Sequence, residues 1–187
     1  MLTTLDDVSA QTELTEYDKA LAEFSIKNYT SAKLQMQGEF VINTNAESLF
    51  ELVTDPQLIA SWFGMIKGGF TDHTLSNNNN EWGEGSKRIC YSNMGTLNET
   101  IYFWRAPYIA AYNVQSWSMP VKDHCSVMII QPLGSERCKL TWRHYFNYKG
   151  VIMKNFFPYM MIKLMNKGLM EITNKFGGAG GVMKLAK

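Results

Sequence analysis

The chain has 187 residues and a formal net charge of +1, which suits a single domain with a sizeable core and provides no basic field to hold a phosphate backbone. Nucleic acid is therefore excluded as the main partner. The three cysteines, Cys90, Cys125 and Cys138, are odd in number and lack C-x-x-C spacing, which argues against a disulfide framework or a thiolate metal site and favours reduced thiols.

Residues 1–32 precede the first predicted strand and form an N-terminal extension. Residues 1–13 are polar, with acidic residues where a secretory signal has basic ones, so we expect neither regular structure nor a signal peptide there. Together with the reduced cysteines, this pattern predicts a cytoplasmic protein. A short helix is expected over Thr15–Lys27, with Thr15 as its N-cap and an apolar side formed by Leu14, Tyr17, Leu21 and Phe24.

The first predicted strand covers Lys33–Asn43, where apolar and polar side chains alternate. A helix is expected directly after it, with Thr44 as N-cap, because Thr44-x-x-Glu47 has the spacing of a capping box. The strand would therefore feed straight into a helix. Its inner face would be formed by Leu34, Met36, Phe40 and Ile42.

A second short helix is predicted after the first, since Asp55 is a suitable N-cap and Pro56 fits the first helical turn. This helix would end at Gly64, and the second strand would cover Met65–Thr74. Two short helices in tandem after a strand form a compact V.

The segment Leu75–Gly83 is predicted as a loop because its four asparagines favour turns. Trp82 in this loop has two interpretations: it is either a lid over a cavity mouth or an apolar side chain docked on the edge of the domain. Short connections then imply antiparallel neighbours among the strands that follow. These strands are predicted at Gly85–Ser92, Thr96–Arg105, Ile109–Trp117, Cys125–Gln131 and Arg137–Tyr148.

The segment Gly150–Phe176 is predicted as a long C-terminal helix. Its longest uncharged piece, Asn155–Ile162, is far shorter than the roughly 20 residues of a bilayer span, so stable membrane insertion is not expected. Pro158 fits the first turn if the helix begins near Asn155 and otherwise marks a kink. The Gly-rich residues 177–187 are predicted as a flexible tail. The apolar stripe of the helix consists of Phe157, Met161, Leu164, Gly168, Ile172 and Phe176.

The order of elements predicts an α+β domain over residues 33–176. A curved antiparallel sheet of seven strands would wrap around the long C-terminal helix, and the two short helices would close one end. Three stretches carry a resemblance to a known superfamily: NAESLFELVTDPQLIASWF at 45–63, the segment 83–114 and KLTWRHYF at 139–146. The second of them combines a Gly-x-Gly strand start, a glutamate in the next strand and an aromatic-x-x-Pro motif.

In this order, the three stretches resemble the helix-grip (SRPBCC, START-like) superfamily, which includes START domains, the major birch-pollen-allergen fold and the polyketide cyclase/dehydrase-like proteins. The first stretch also resembles relatives of the Hsp90 co-chaperone activator. The resemblance implies a deep cavity between sheet and helix that binds hydrophobic or amphipathic small molecules such as lipids or polyketides. Some members of the superfamily catalyse cyclisation, so the fold alone does not decide the function.

Alternation along two predicted strands places polar groups in this cavity. Glu99 shares a face with Leu97, Ile101 and Phe103, and His144 shares a face with Trp142. Such a pair would either orient a ligand or act as acid and base, or each group would be satisfied by a structural partner such as Arg88. His73 and His124 are interpreted as loop or strand-end residues without a role.

Three functions remain open from the sequence: a binder of a hydrophobic small molecule, a cyclase/dehydratase-type enzyme that uses Glu99, His144 or Tyr112, and a co-chaperone-like interaction module. No cofactor or metal is expected, since no histidines or carboxylates have metal-ligand spacing. The protein partner is not specified. The ligand-binding residues are expected to be Trp62, Phe63, Arg88, Glu99, Ile101, Phe103, Tyr112, Leu140, Trp142, His144, Phe157, Met161, Leu164 and Met165.

Overall fold

The computed structural model describes residues 14–186, so the prediction for residues 1–13 lies outside the described residues, as does residue 187. The helices in the described range are α1 (Glu16–Glu23), α2 (Ala46–Thr54), α3 (Pro56–Ile59) and α4 (Val151–Phe176), with a 3₁₀ turn at Ile26–Asn28. The strands in that range are β1 (Leu34–Ile42), β2 (Ile66–Asp72), β3 (Lys87–Ser92), β4 (Gly95–Arg105), β5 (Ile109–Gln115), β6 (Val121–Pro132), β7 (Cys138–Tyr148) and β8 (Gly180–Leu185).

These strands form one antiparallel sheet with the order β2-β3-β4-β5-β6-β7-β1-β8. Helix α4 packs against one face of the sheet, which we call the inner face, and α2 and α3 join the same core. The arrangement is the predicted helix-grip fold: a sheet, a long C-terminal helix and two short helices after the first strand.

The number of strands and the nature of the C-terminus differ from the prediction. The described residues contain an eighth strand, β8, which pairs with β1 where a flexible tail was expected. Gly181 allows this pairing, because a Cβ atom there would collide with the carbonyl oxygen of Glu39. The backbone of Met183 is also held by Asn166 of α4, which accepts from its N–H at 2.7 Å and donates to its carbonyl at 3.1 Å. The glycines of this segment therefore allow the backbone of β8 to pack closely against that of β1.

The two short helices are capped nearly as predicted. Asp55 accepts hydrogen bonds from the backbone N–H groups of Gln57 and Leu58, and Pro56 occupies the first turn of α3. The N-cap of α2 is Asn45, one residue later than predicted, and its side chain accepts from the Ser48 N–H at 2.8 Å. Helix α3 is shorter than predicted and ends at Ile59.

Helix α4 begins at Val151, so Pro158 lies inside the helix and not in its first turn. Gly168 faces the rings of Trp62 and Phe63, and a Cβ atom there would lie 2.7 Å from Phe63 Cδ2. The helix is therefore pressed directly onto the segment that follows α3. Its buried side contains Phe157, Met161, Met165, Gly168, Leu169 and Ile172, whereas Leu164 and Phe176 are half-buried.

A second apolar cluster covers the opposite, outer face of the sheet. Tyr17 and Phe24 of the N-terminal segment pack there against Ile109, Val127 and other outward side chains of β4, β5 and β6. Glu23 also forms an ion pair with Arg105 at 2.6 Å. In the described part of the N-terminal segment, residues 14–32, the packed side chains cover the outer face and none belongs to the inner core cluster.

A β-bulge in β4 moves Phe103 to this outer face, contrary to the prediction. The register with β5 shifts between Ile101 and Phe103, so alternation breaks at that point. Phe103 packs against Phe24 with ring centroids 5.2 Å apart. Trp104 instead contacts the inner core, where it stacks on Trp82 at 4.8 Å; Trp82 is therefore docked on the domain, which was the second of its two interpretations.

Candidate ligand-binding site

A cavity of about 70 Å³ lies between the inner face of the sheet and α4. Strands β4, β5, β6 and β7 supply one wall and α4 supplies the other. Its surface is almost entirely apolar, with polar groups contributed mainly by Glu99, Tyr112, His124 and His144. The apolar lining includes Phe63, Met65, Met94, Leu97, Val114, Met119, Trp142, Phe157, Met161 and Met165.

A larger groove of about 570 Å³ lies on the surface beside this cavity, between the end of α3, the β3–β4 turn and α4. Trp62 and Leu164 line the groove, whereas Phe63, Met65 and Met94 line both the groove and the cavity. These three side chains therefore lie between the outer groove and the cavity and form a partition. We call them the partition residues.

Arg88 and Glu99 form a buried ion pair between the facing strands β3 and β4, with side chains only 2% and 7% exposed. The guanidinium also donates to the carbonyl oxygens of Thr54 at 2.8 Å and Val53 at 3.4 Å, at the C-terminal end of α2. A cation suits a helix C-terminus, where unpaired carbonyls concentrate negative potential. Burial opposes the charge of Arg88, but the Glu99 carboxylate raises the pKa of Arg88 above its ordinary value. The Glu99 carboxylate is therefore committed to a structural partner.

Tyr112 on β5 presents a neutral hydroxyl near this ion pair. Its ring lies under the guanidinium of Arg88, with the ring centroid 4.4 Å from Arg88 Cζ. Burial raises the pKa of Tyr112 to about 12, although Arg88 partly opposes the shift. The hydroxyl therefore keeps its proton near neutral pH.

His124 and His144 form a buried pair on neighbouring strands β6 and β7. The Nε2 atom of His124 lies 3.2 Å from the Nδ1 atom of His144, and Ser126 Oγ lies 3.4 Å from the same Nδ1 atom. Ser126 also accepts a hydrogen bond from the indole N–H of Trp142 at 2.7 Å. Within residues 14–186, the remaining nitrogens, His124 Nδ1 and His144 Nε2, are buried without a hydrogen-bond partner.

Both histidines are neutral near pH 7 because the protein removes water from their charged forms. Burial lowers the pKa of His124 to about 4. Burial also lowers the pKa of His144 well below its ordinary value, and the neighbouring His124 lowers it further. The polar edge of the cavity is therefore built from uncharged imidazoles and a neutral hydroxyl, with Glu99 neutralised by Arg88.

The structure distributes the side chains proposed from the sequence as ligand-binding over four places. Ile101 and Leu140 lie in the inner core and Arg88 is buried in its ion pair with Glu99, all three outside the cavity lining, and Phe103 lies on the outer face. Trp62 and Leu164 line the surface groove. The nominated residues that do line the cavity are Phe63, Glu99, Tyr112, Trp142, His144, Phe157, Met161 and Met165.

His124 is the important residue that the sequence analysis missed. It was interpreted as a strand-end residue because β6 was predicted to begin at Cys125, whereas β6 begins at Val121. With the longer strand, alternation places His124 on the same face as Ser126, Met128 and Ile130. Extending the period-two pattern backwards from Ser126 would have found it.

Residues 14–186 contain no group of three or more His, Cys, Asp or Glu side chains placed to hold a metal ion. No helix in that range is long and apolar enough to cross a bilayer.

This architecture, an antiparallel sheet with an apolar cavity beneath a long C-terminal helix, defines a START-like helix-grip protein. Residues 33–176 match the sequence model of the family described as polyketide cyclase / dehydrase and lipid transport. The chain belongs to that family. A comparison with curated proteins found no match.

Solved structures of low sequence identity share the fold. The protein XoxI from Bacillus cereus is 14% identical, with a TM-score of 0.61 over 77% of this chain and 96% of that protein. A START superfamily protein from Mycobacterium smegmatis is 15% identical, with a TM-score of 0.58 over 75% of this chain and 98% of that protein. An HSP90 activator from Plasmodium falciparum is 10% identical, with a TM-score of 0.57 over 79% of this chain and 99% of that protein.

Proposed function

We propose that the chain binds a hydrophobic or amphipathic small molecule between its sheet and α4. The observation that carries this proposal is the apolar cavity with a few polar groups in its lining, which is the usual composition of a small-molecule site. The family description, which includes lipid transport, supports the same class of ligand.

The cavity must enlarge to accept such a ligand. Its volume of about 70 Å³ is well below the roughly 300–1,000 Å³ of ordinary ligand pockets. Methionine side chains adapt readily because they have three rotatable bonds, and they occur both in the partition and in the cavity lining. Rotation of Met65 and Met94 would join the cavity to the surface groove, which alone is about 570 Å³. Opening of the partition is therefore the expected route of ligand access.

Binding is better supported than cyclase-type catalysis. An acid–base role for Glu99 would require the carboxylate to exchange protons while Arg88 holds it in a buried ion pair. His144 is neutral and buried, so it suits hydrogen bonding to a ligand more than storage of a proton.

A function in protein interaction is the second candidate, and the small cavity volume favours it. A cavity already filled by side chains leaves the surface groove as the main recognition feature, and the fold resembles that of an HSP90 activator. Purified Hsp90 tests this candidate: a faster rate of ATP hydrolysis on addition of the chain would support it, and an unchanged rate would contradict it.

The binding proposal is tested by native mass spectrometry of freshly purified protein, followed by titration with a fluorescent acyl chain. We expect saturable binding that Met161→Trp weakens at least tenfold, because the larger ring fills the cavity. Met161→Phe is a milder version of the same change. Met170→Trp is the matched control, since Met170 lies on the same helix but is exposed. Equal affinity of wild type and both Met161 variants would contradict binding in this cavity.

A further inference from the structure

The hydrogen-bond network around His144 accommodates a proton on its Nε2 atom. The indole of Trp142 is only a donor, so Ser126 Oγ accepts from it at 2.7 Å and keeps its own hydrogen for another acceptor. His144 Nδ1 lies 3.4 Å from that hydroxyl and 3.2 Å from His124 Nε2. A neutral His124 that donates its Nε2–H to Nδ1 leaves the single proton of the His144 imidazole on Nε2.

The Nε2–H group of His144 is then a donor left over for a ligand. His144 is 4% exposed and lines the cavity, and its Nε2 atom has no hydrogen-bond partner among residues 14–186. A buried polar group without a partner carries an unfavourable desolvation free energy. A ligand acceptor that pairs with Nε2–H removes this penalty, so the hydrogen bond contributes more to affinity than one exposed to water. The site thus selects a molecule that carries an oxygen acceptor.

The charges around the cavity decide what kind of oxygen this is. Glu99 is neutralised by Arg88, and Tyr112 and the two histidines are uncharged near neutral pH. Among the described lining residues, no side chain carries a free positive charge to face an anion. A carboxylate or phosphate would therefore lose its hydration without gaining a counter-ion.

We propose that the ligand is an uncharged carbonyl-bearing amphiphile, such as a long-chain ketone, aldehyde or ester, whose carbonyl oxygen accepts a hydrogen bond from His144 Nε2–H. This inference rests on the proposed binding function and specifies the chemical class of its ligand. His124 and Ser126 act as positioning residues, because donation from either of them to Nδ1 keeps the His144 proton on Nε2.

The test compares three probes of equal chain length: a methyl ketone, the alkane and the ionised fatty acid, each titrated at pH 8. We expect wild type to bind the ketone more tightly than the alkane and the acid. His144→Phe keeps an aromatic ring but removes the donor, so ketone affinity should fall roughly threefold to tenfold while alkane affinity stays unchanged. His73→Phe is the matched control, since His73 contacts Ser86 and Trp82 and does not line the cavity. It should preserve all three affinities.

Nitrogen-15 NMR of wild-type His144 gives a second readout that needs no variant. The Nε2–H tautomer is expected, with a shift of the Nε2 resonance when the ketone binds; the Nδ1–H tautomer would overturn the inference. Tighter binding of the fatty acid, or equal binding of ketone and alkane, would also overturn it while leaving cavity binding intact. If none of the three probes binds, the proposed binding function itself fails.

Discussion

His124 and His144 face each other across strands β6 and β7, with Nε2 of one 3.2 Å from Nδ1 of the other, and both rings are buried. This pairing joins two side chains twenty positions apart into one uncharged unit at the edge of an apolar cavity. Trp142 stacks on one side of His144, and Phe146 contacts His124. Protonating either ring would place a charge where water cannot reach it.

Stability should therefore fall as the pH is lowered from about 6.5 to about 4. The folded state lowers the pKa of His124 to about 4, so the unfolded chain binds more protons in this pH range. Proton binding therefore stabilises the unfolded chain relative to the folded chain as the pH falls. We expect roughly 2 kcal/mol less free energy of unfolding at pH 5 than at pH 7 from this residue alone. Urea unfolding at both pH values measures it. His124→Gln cannot titrate and should show a shallower pH dependence; a slope equal to that of wild type would contradict the assignment.

The ion pair of Arg88 and Glu99 should be essential for stability. Arg88→Met leaves the buried Glu99 without its counter-ion and releases the carbonyls at the end of α2, at a cost of about 3–5 kcal/mol. Adding Glu99→Leu to Arg88→Met should recover part of this loss, because no buried charge remains. Chemical denaturation of the single and double variants measures both effects.

An exposed ion pair provides the control for that experiment. Lys19 and Glu16 on α1 are 2.7 Å apart with side chains 54% and 72% exposed, so Glu16→Gln should change the free energy of unfolding by less than about 1 kcal/mol. If Arg88→Met cost no more than Glu16→Gln, the pair in the core would not have the stabilising role assigned to it.

Local patterns in the sequence were sufficient to predict most of the fold. Alternation located β1 to β7 within a few residues, and the Asp55-Pro56 pair marked the start of α3 because its capping chemistry is local. Strand β8 was missed because a glycine-rich sequence predicts a flexible segment. The segment forms a strand because it pairs closely with β1. Strand β1 lies more than a hundred positions earlier in the chain, so the local sequence of β8 does not reveal this pairing.

The candidate site was harder to predict because it depends on where alternation breaks. The bulge after Ile101 places Phe103 on the outer face. The local sequence pattern of β4 does not predict this bulge. His124 was missed because β6 begins at Val121 and not, as its apolar run predicts, at Cys125. The Arg88–Glu99 pair was considered from the sequence as one of several possibilities, and register across β3 and β4 now brings the two residues face to face.

The N-terminal segment should stabilise the domain without influencing the cavity. Phe24 packs on the outer face against Phe103 and Tyr29, so Phe24→Ala should lower the free energy of unfolding by roughly 1–3 kcal/mol. Binding of the fluorescent acyl chain should stay the same, because the cavity lies on the other side of the sheet. Leu21→Ala is the control, since Leu21 belongs to α1 but is 41% exposed. A large loss of ligand affinity in Phe24→Ala would contradict this separation of the two faces.

Gly168 on α4 should tolerate no larger side chain, although alanine is the better helix former. Its Cα faces the rings of Trp62 and Phe63, and a Cβ atom would lie 2.7 Å from Phe63 Cδ2 and 3.2 Å from Trp62 Cε3. Gly168→Ala gains about 1 kcal/mol in helix propensity but pushes α4 away from the partition residue Phe63, at a cost of about 1–3 kcal/mol.

The net effect of Gly168→Ala on thermal stability should therefore be a loss, together with a faster on-rate for an apolar probe, because a displaced Phe63 opens the path from groove to cavity. Stopped-flow fluorescence and thermal unfolding measure the two quantities on the same samples. Met170→Ala is the control, because Met170 is exposed on the same helix and alanine there should change neither. A Gly168→Ala protein that is more stable than wild type and takes up the probe at the wild-type rate would show that α4 has room at this position, and that Phe63 does not limit access.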